Sequence, residues 1–131
     1  MGLRNLLFCA AMCLSVVVIA SAQDAAKADP AHYKVEFENA KVRILRIHYG
    51  PHEKSIMHSH PAAVVVYLTD GTMHFNMPDG KVLDATGKKG EALYTPPVVH
   101  APEDTGDQPF DAVLIELKSP KPSHAKAAAK K

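Results

Sequence analysis

Thr72-Met73-His74-Phe75-Asn76-Met77, followed by Pro78-Asp79-Gly80 and then Lys81-Val82-Leu83, is the stretch that decides the fold class. Met73, Phe75 and Met77 share one face of an extended chain, and Thr72, His74 and Asn76 share the other. That is the alternation of a half-buried strand, and it turns His74 outward. Pro-Asp-Gly is a tight-turn sequence, so residues 72–83 are expected to form a β-hairpin. The same punctuation recurs on both sides. Val42–Tyr49 ends at Gly50-Pro51, and Val64–Leu68 ends at Thr69-Asp70-Gly71. Gly87 and Gly90 precede Glu91–Thr95, and Phe110–Leu117 closes the series. Short apolar runs with a turn every ~10 residues predict an antiparallel sandwich or barrel. Within 42–49, Leu45, Ile47 and Tyr49 are expected inward and His48 outward. No stretch carries a long helical period, so the chain is expected to be all-β.

The ends read differently. Met1–Asn5 carries Arg4, Leu6–Ala20 is an apolar run broken only by Ser15, and Ala20-Ser21-Ala22 offers the small residues of a signal-peptidase site. Residues 1–22 are therefore expected to be a secretory signal cut after Ala22, and the protein to be secreted, into the periplasm of a bacterium. The apolar run is shorter than the ~18–20 residues needed to cross a bilayer, so no stable membrane span is expected after cleavage. Cys9 and Cys13 both lie in that leader, so residues 23–131 hold neither a disulfide nor a thiolate ligand. Residues 23–30 are small, polar and end in a proline, and are expected to be a linker. Residues 119–131 mix Pro, Ser, Ala and Lys without periodicity and are expected to be a disordered tail. The domain proper is then 31–118. Without Arg4, the 15 basic residues of the chain come into balance with its 14 acidic ones, which excludes an electrostatic case for nucleic acid.

The chain has 8 histidines, and most have ordinary explanations. His32 and His124 lie near the ends and are expected to be solvated, and His52 follows a Gly-Pro turn. His58 and His60 differ. Two apart in an extended segment, they leave the same face about 7 Å apart along the backbone, close enough to converge on one ion. Pro61 and the apolar Val64–Leu68 follow, so the pair leads into a core strand. His100 comes after Thr95-Pro96-Pro97-Val98-Val99, a second apolar stretch. Three neutral imidazoles leave coordination positions open for water or substrate, the arrangement of a catalytic rather than a sealed site.

At these residues the chain resembles the cupin superfamily. Gly50 … His58-Ser59-His60-Pro61-Ala62-Ala63-Val64 … Gly71 is similar to its first conserved motif, and Gly90-Glu91-Ala92-Leu93-Tyr94-Thr95-Pro96 … His100 to its second. The resemblance covers roughly Tyr33 to Lys118 and is closest to small single-domain bacterial cupins, uncharacterised or dioxygenase-like. It implies a jelly-roll β-barrel holding a divalent metal ion (Fe, Mn, Zn, Ni or Cu) on His58, His60 and His100. It also implies a homodimer. The chain departs from the motifs in several places. Val64 stands where the first motif usually carries a Glu, Val98 replaces a Gly, the interval to His100 is one residue short, and Asp104 replaces an Asn. Loss of the Glu removes a negative ligand, and the thiol dioxygenases among the cupins likewise keep only three histidines. A more positively charged site of this kind favours an anionic or oxygen-rich small molecule.

Two functions follow from this reading. One is an exported metal-dependent enzyme of oxygenase or isomerase type, with Tyr67, Tyr94, Arg43 and Arg46 as the side chains able to bind or protonate a substrate. The other is a non-catalytic barrel of the cell envelope that holds a small ligand. The second is favoured by the shortage of acids in the core strands, because Glu116, flanked by Ile115 and Leu117, is expected to point outward. The jelly roll hosts both kinds of protein.

Overall fold

The computed structural model describes residues 22–119. In chain order the elements are β1 (Gln23–Asp24), α1 (Ala25–Ala28), β2 (Tyr33–Glu38), β3 (Val42–Tyr49), β4 (His58–His60) and β5 (Ala63–Tyr67), then β6 (Gly71–Asn76), β7 (Val82–Gly87), β8 (Ala92–Thr95), β9 (Val98–Asp104) and β10 (Phe110–Leu117). They form two five-stranded sheets, ordered β1-β4-β9-β6-β7 and β2-β3-β10-β5-β8. Every pairing is antiparallel except the short parallel contact of β1 with β4. This is the jelly roll, and with a single helical turn among the described residues it is an all-β protein.

Period-two alternation decides what each strand turns inward. In β10, Phe110, Ala112, Leu114 and Glu116 are buried, and in β3 Leu45, Ile47 and Tyr49 are. The two rows meet across the ladder, where Leu114 pairs with Leu45 and Ala112 with Ile47. The 72–83 hairpin forms as expected, β6 pairing with β7 from Gly71↔Gly87 to Asn76↔Val82. Gly80 takes a positive φ of 83° in the turn, which a side chain would resist. His48 and His74 face outward, paired with Asp111 and Asp84.

Gly71 and Gly87 are small for a packing reason. They face each other across β6 and β7, and the Phe110 and Tyr67 rings lie where their side chains would be. Those two rings pack edge to face at 5.6 Å. A methyl group on Gly87 would fall inside the Tyr67 ring. Gly87→Ala should therefore destabilise the fold by about 1–3 kcal/mol, the usual range for overpacking a core. A thermal midpoint lowered by at least ~4 °C would register it, and an unchanged midpoint would mean that the ring has room to move.

Residues 23–30 are not the expected linker. Asp24 caps α1 by accepting from the Lys27 amide, Ala25 is fully buried in the core, and β1 pairs with β4. Small residues suggested a segment with nothing to bury, but small size is what allows it to lie flat against the barrel. His32 is also not solvated: its ring stacks on Tyr49 at 4.2 Å and bonds to Asp29 and Glu53. The leader up to residue 21 and the tail from 120, with His124, lie outside the described residues.

Candidate metal centre

Strands β4 and β9 assemble the centre between them. His58 stands directly opposite His100 in the ladder, and His60 is two residues along the same inward face. All three rings are buried, and one nitrogen from each lies within 4.8 Å of the others. His58 Nε2 and His60 Nε2 are 3.1 Å apart.

The far sides of two rings fix which nitrogen is free. His58 Nδ1 lies 2.8 Å from the Ile56 carbonyl, which can only accept, so Nδ1 carries the proton. His60 Nδ1 lies 2.8 Å from Glu116 Oε1 and likewise donates. In neutral rings the two Nε2 atoms then face each other with lone pairs, and a hydrogen bond between them has no proton to use. His100 Nε2 is buried with no partner at all. Two opposed lone pairs and a third buried, unpartnered ring nitrogen in the interior are accommodated by a cation. Nitrogens bound at about 2.1 Å from one ion, with ordinary tetrahedral or octahedral angles, sit roughly 3.0–3.4 Å apart, which matches the observed pair. The residues therefore fit a metal ion.

The surroundings also keep the rings in the neutral form that can ligate a metal ion. Burial pushes the His58 ring down to about 4, with His60 beside it acting in the same direction. Burial, then His60 and His58, pushes His100 down to about 3. Both rings are neutral at physiological pH. Glu116, reaching across from β10, is ionised: burial pushes its carboxyl up, but the His60 N–H and the Arg43 guanidinium outweigh it and leave the group below the ordinary range. Arg43 donates from Nε to Glu116 Oε2 at 2.6 Å and also bonds Asp24 in β1. A chain of contacts thus runs Asp24, Arg43, Glu116, His60. A carboxylate behind a ligating imidazole holds the ring in one orientation and makes it a stronger donor.

Beside the centre, between the sheets, is a cavity of about 500 Å³ that opens to solvent at the exposed Tyr94. His60 and His100 line one part of it, and Tyr33 and Tyr49 lie near them with their hydroxyls 2.7 Å apart. The rest of the wall is mainly apolar, with the Tyr67, Tyr94 and Thr95 hydroxyls as its other polar groups.

Residues 45–116 match the family model described as Cupin domain. The chain belongs to the cupin family. A cupin domain from Bordetella pertussis Tohama I is 26% identical to it, with a TM-score of 0.62 over 66% of this chain and 92% of that one. An uncharacterised conserved protein with a double-stranded β-helix domain from Klebsiella pneumoniae subsp. pneumoniae MGH 78578 is 21% identical, TM-score 0.53, over 66% and 77%. A Cupin 2 conserved barrel domain protein from Salinispora arenicola CNS-205 is 17% identical, TM-score 0.52, over 66% and 75%. The last two speak to the fold alone. No curated protein matches the chain.

The cupin barrel sorts the other sequence candidates. Tyr67 lines the cavity from β5 and is buried; Tyr94 lines it from β8 but is 65% exposed, at the rim. Arg46 is not a site residue: it faces outward and pairs with Glu36. Arg43 does point inward, yet it does not line the cavity, because its guanidinium is taken up by Glu116 and Asp24. Val64 does not occupy a ligand position. Ala63, Val65 and Tyr67 form the inward row of β5, and Val65 is the residue on the cavity wall. Glu116 corrects the sequence reading most. Its neighbours Ile115 and Leu117 suggested an outward side chain, but the Phe110–Ala112–Leu114 row to which it belongs is the inner one. Asp111, on the opposite row and partly exposed, is the signal that would have set this register. Among the described residues no helix is long and apolar enough to cross a membrane.

Proposed function

We propose that this cupin is exported and acts as a metal-dependent enzyme, of oxygenase or isomerase type, on a small molecule bound in the barrel. The observation that carries the reading is the set of three buried histidines whose free nitrogens face one point, with Glu116 behind one of them. His58, His60 and His100 would hold the ion. When bound, it would supply Lewis acidity or a dioxygen-binding centre, with positions left open for substrate oxygen. Glu116 keeps the His60 proton on Nδ1 and the Ile56 carbonyl does the same for His58, so both rings meet the ion in the ligating tautomer. The Tyr33 and Tyr49 hydroxyls are the groups on the wall near the centre able to orient a substrate or pass it a proton. The sandwich keeps bulk water from the buried side of the centre. Export rests on the leader at 1–22, and cleavage after Ala22 would leave β1 intact.

A second reading is favoured by one observation. No Asp or Glu lines the cavity among the described residues, so an acid or base for catalysis would have to be a histidine, a tyrosine or the ion's own water. On that reading the barrel binds a small ligand without turning it over.

The test is the metal content of untagged protein, residues 23–131, recovered from the periplasm beside a His58→Ala, His60→Ala double variant. Near-stoichiometric metal in the first and none in the second is the expected result. Its absence from both, even after incubation with Fe(II), Mn(II) and Zn(II), would sink the metal-dependent reading. Metal without turnover of any small oxygenated compound would favour the binding module.

A further inference from the structure

We infer that the ligand of this site is an aromatic or otherwise apolar small molecule bearing a single oxygen donor, phenol-like rather than sugar-like or polyanionic. The inference rests on the metal-centre reading for the polar end only; the apolar body is argued from the cavity itself. Among the described residues the wall contains no Lys, Arg, Asp or Glu. Arg43, the cation nearest in sequence to the inner rows, is already shared between two carboxylates. A ligand with several charges would enter with one metal ion as its sole counter-charge, and the remaining charges would be buried unpaired. The inferred ligand departs here from the anionic or oxygen-rich one expected from the sequence.

A sugar fares little better. The Tyr33 and Tyr49 hydroxyls bond each other at 2.7 Å, and Tyr67, Tyr94 and Thr95 add the other hydroxyls of a mainly apolar wall, too few to meet a ring of hydroxyls. Each hydroxyl left unmatched on the apolar wall weakens binding. What the wall does offer suits an aromatic body. Met73 and Met77 supply sulfur, Phe75 and Phe110 supply ring faces and edges, and Pro97 and Val65 complete a dry surface. The ring nitrogens border this apolar surface directly, since Phe75 packs against the His100 ring at 4.8 Å. The apolar lining continues to the rim, where Leu83 and Leu93 are half-exposed. A cavity of about 500 Å³ with a mainly apolar wall and a few convergent polar groups has the proportions of a small-molecule site.

2-Naphthol is a suitable probe, titrated by its fluorescence into the mature protein as isolated and after metal stripping, with citrate and glucose followed by calorimetry. One saturable site per chain is expected in both forms, tighter when metal is present and at least roughly tenfold tighter than for citrate or glucose. Leu83→Asp and Leu93→Asp, at half-exposed positions where the core is not disturbed, should each weaken 2-naphthol by roughly tenfold or more. Citrate or glucose binding as tightly as 2-naphthol, or rim variants that bind it unchanged, would overturn the inference. So would rim variants that alter the particle's mass and not its naphthol affinity, since the rim would then be a face for a second copy. The two readings fail separately. A protein that takes no metal yet binds 2-naphthol sinks the metal centre alone, and a metal-loaded protein that ignores 2-naphthol sinks the apolar ligand alone.

Discussion

Glu116→Ala is expected to weaken metal binding by about 10–100-fold and to destabilise the metal-free fold by about 3–5 kcal/mol. The two effects have different origins. Glu116 is 1% exposed, and its two oxygens serve different partners, Oε1 taking the His60 Nδ1 proton and Oε2 the Arg43 guanidinium. Removing it frees the His60 ring to rotate or change tautomer, which lowers its quality as a ligand. It also leaves a largely buried Arg43 with Asp24 alone, and the loss of one partner from a buried ion pair is far more damaging than the pair's net worth suggests. Glu116→Gln separates the two. Its amide keeps an oxygen for the His60 N–H but removes the charge, so metal affinity should fall less than in the alanine variant while stability falls nearly as far. A metal-indicator competition and a urea titration read the two quantities. Wild-type metal affinity in Glu116→Ala would mean that His60 is positioned without help from across the barrel.

Acidification should unfold the metal-stripped protein from about pH 6.5 downward, earlier than ordinary carboxylate titration begins. His58 and His100 are held in the fold at about 4 and about 3, against an ordinary value of 6.5. Between those limits the unfolded chain takes up protons that the folded one refuses, so stability rises with pH and is lost as pH falls. The stability is complete above pH 6.5. By pH 5 the two rings together should have removed on the order of 4 kcal/mol, a large part of what a domain of this size has. Asp24, Asp29 and Glu116, all held below their ordinary values in the fold, extend the loss to lower pH. Urea midpoints measured from pH 8 to pH 4.5 would check the slope. A flat profile between pH 7 and 5 would show that these imidazoles are protonated in the fold.

The fold was legible because its evidence is local. The Met73–Phe75–Met77 alternation and the Pro78-Asp79-Gly80 turn each lie within a few residues of each other, and β6 and β7 form where that pattern requires. The three histidines were legible for a similar reason: His58 and His60 announce a shared face by spacing alone, and the cupin motifs supply His100. What surrounds them was not. Glu116 and Arg43 are 73 residues apart in the chain, and neither strand alone identifies its partner. Both alternate rows of β10 are apolar, so the inward face had to be judged from a weak signal. Tyr33, beginning a strand with mixed character, and Ser55, in a loop, gave no sign that they would lie against the His58 ring. The apolar cavity wall was equally hidden, because its residues come from strands whose only shared property is to face inward.

The contact between Asp24 and Arg43 has a bearing on when the protein becomes competent. β1 and β10 are joined through that guanidinium, and the carboxylate that orients His60 belongs to β10. Synthesis runs from one end to the other, so β10 must have emerged before β1 can be tied to it and the His60 ring held from across the barrel. An emerging chain would display its histidines without the geometry to discriminate among ions. On the proposal that the protein is exported and binds a metal, selection of the ion would be postponed to the compartment in which folding finishes, and the ions available there would determine which one is acquired.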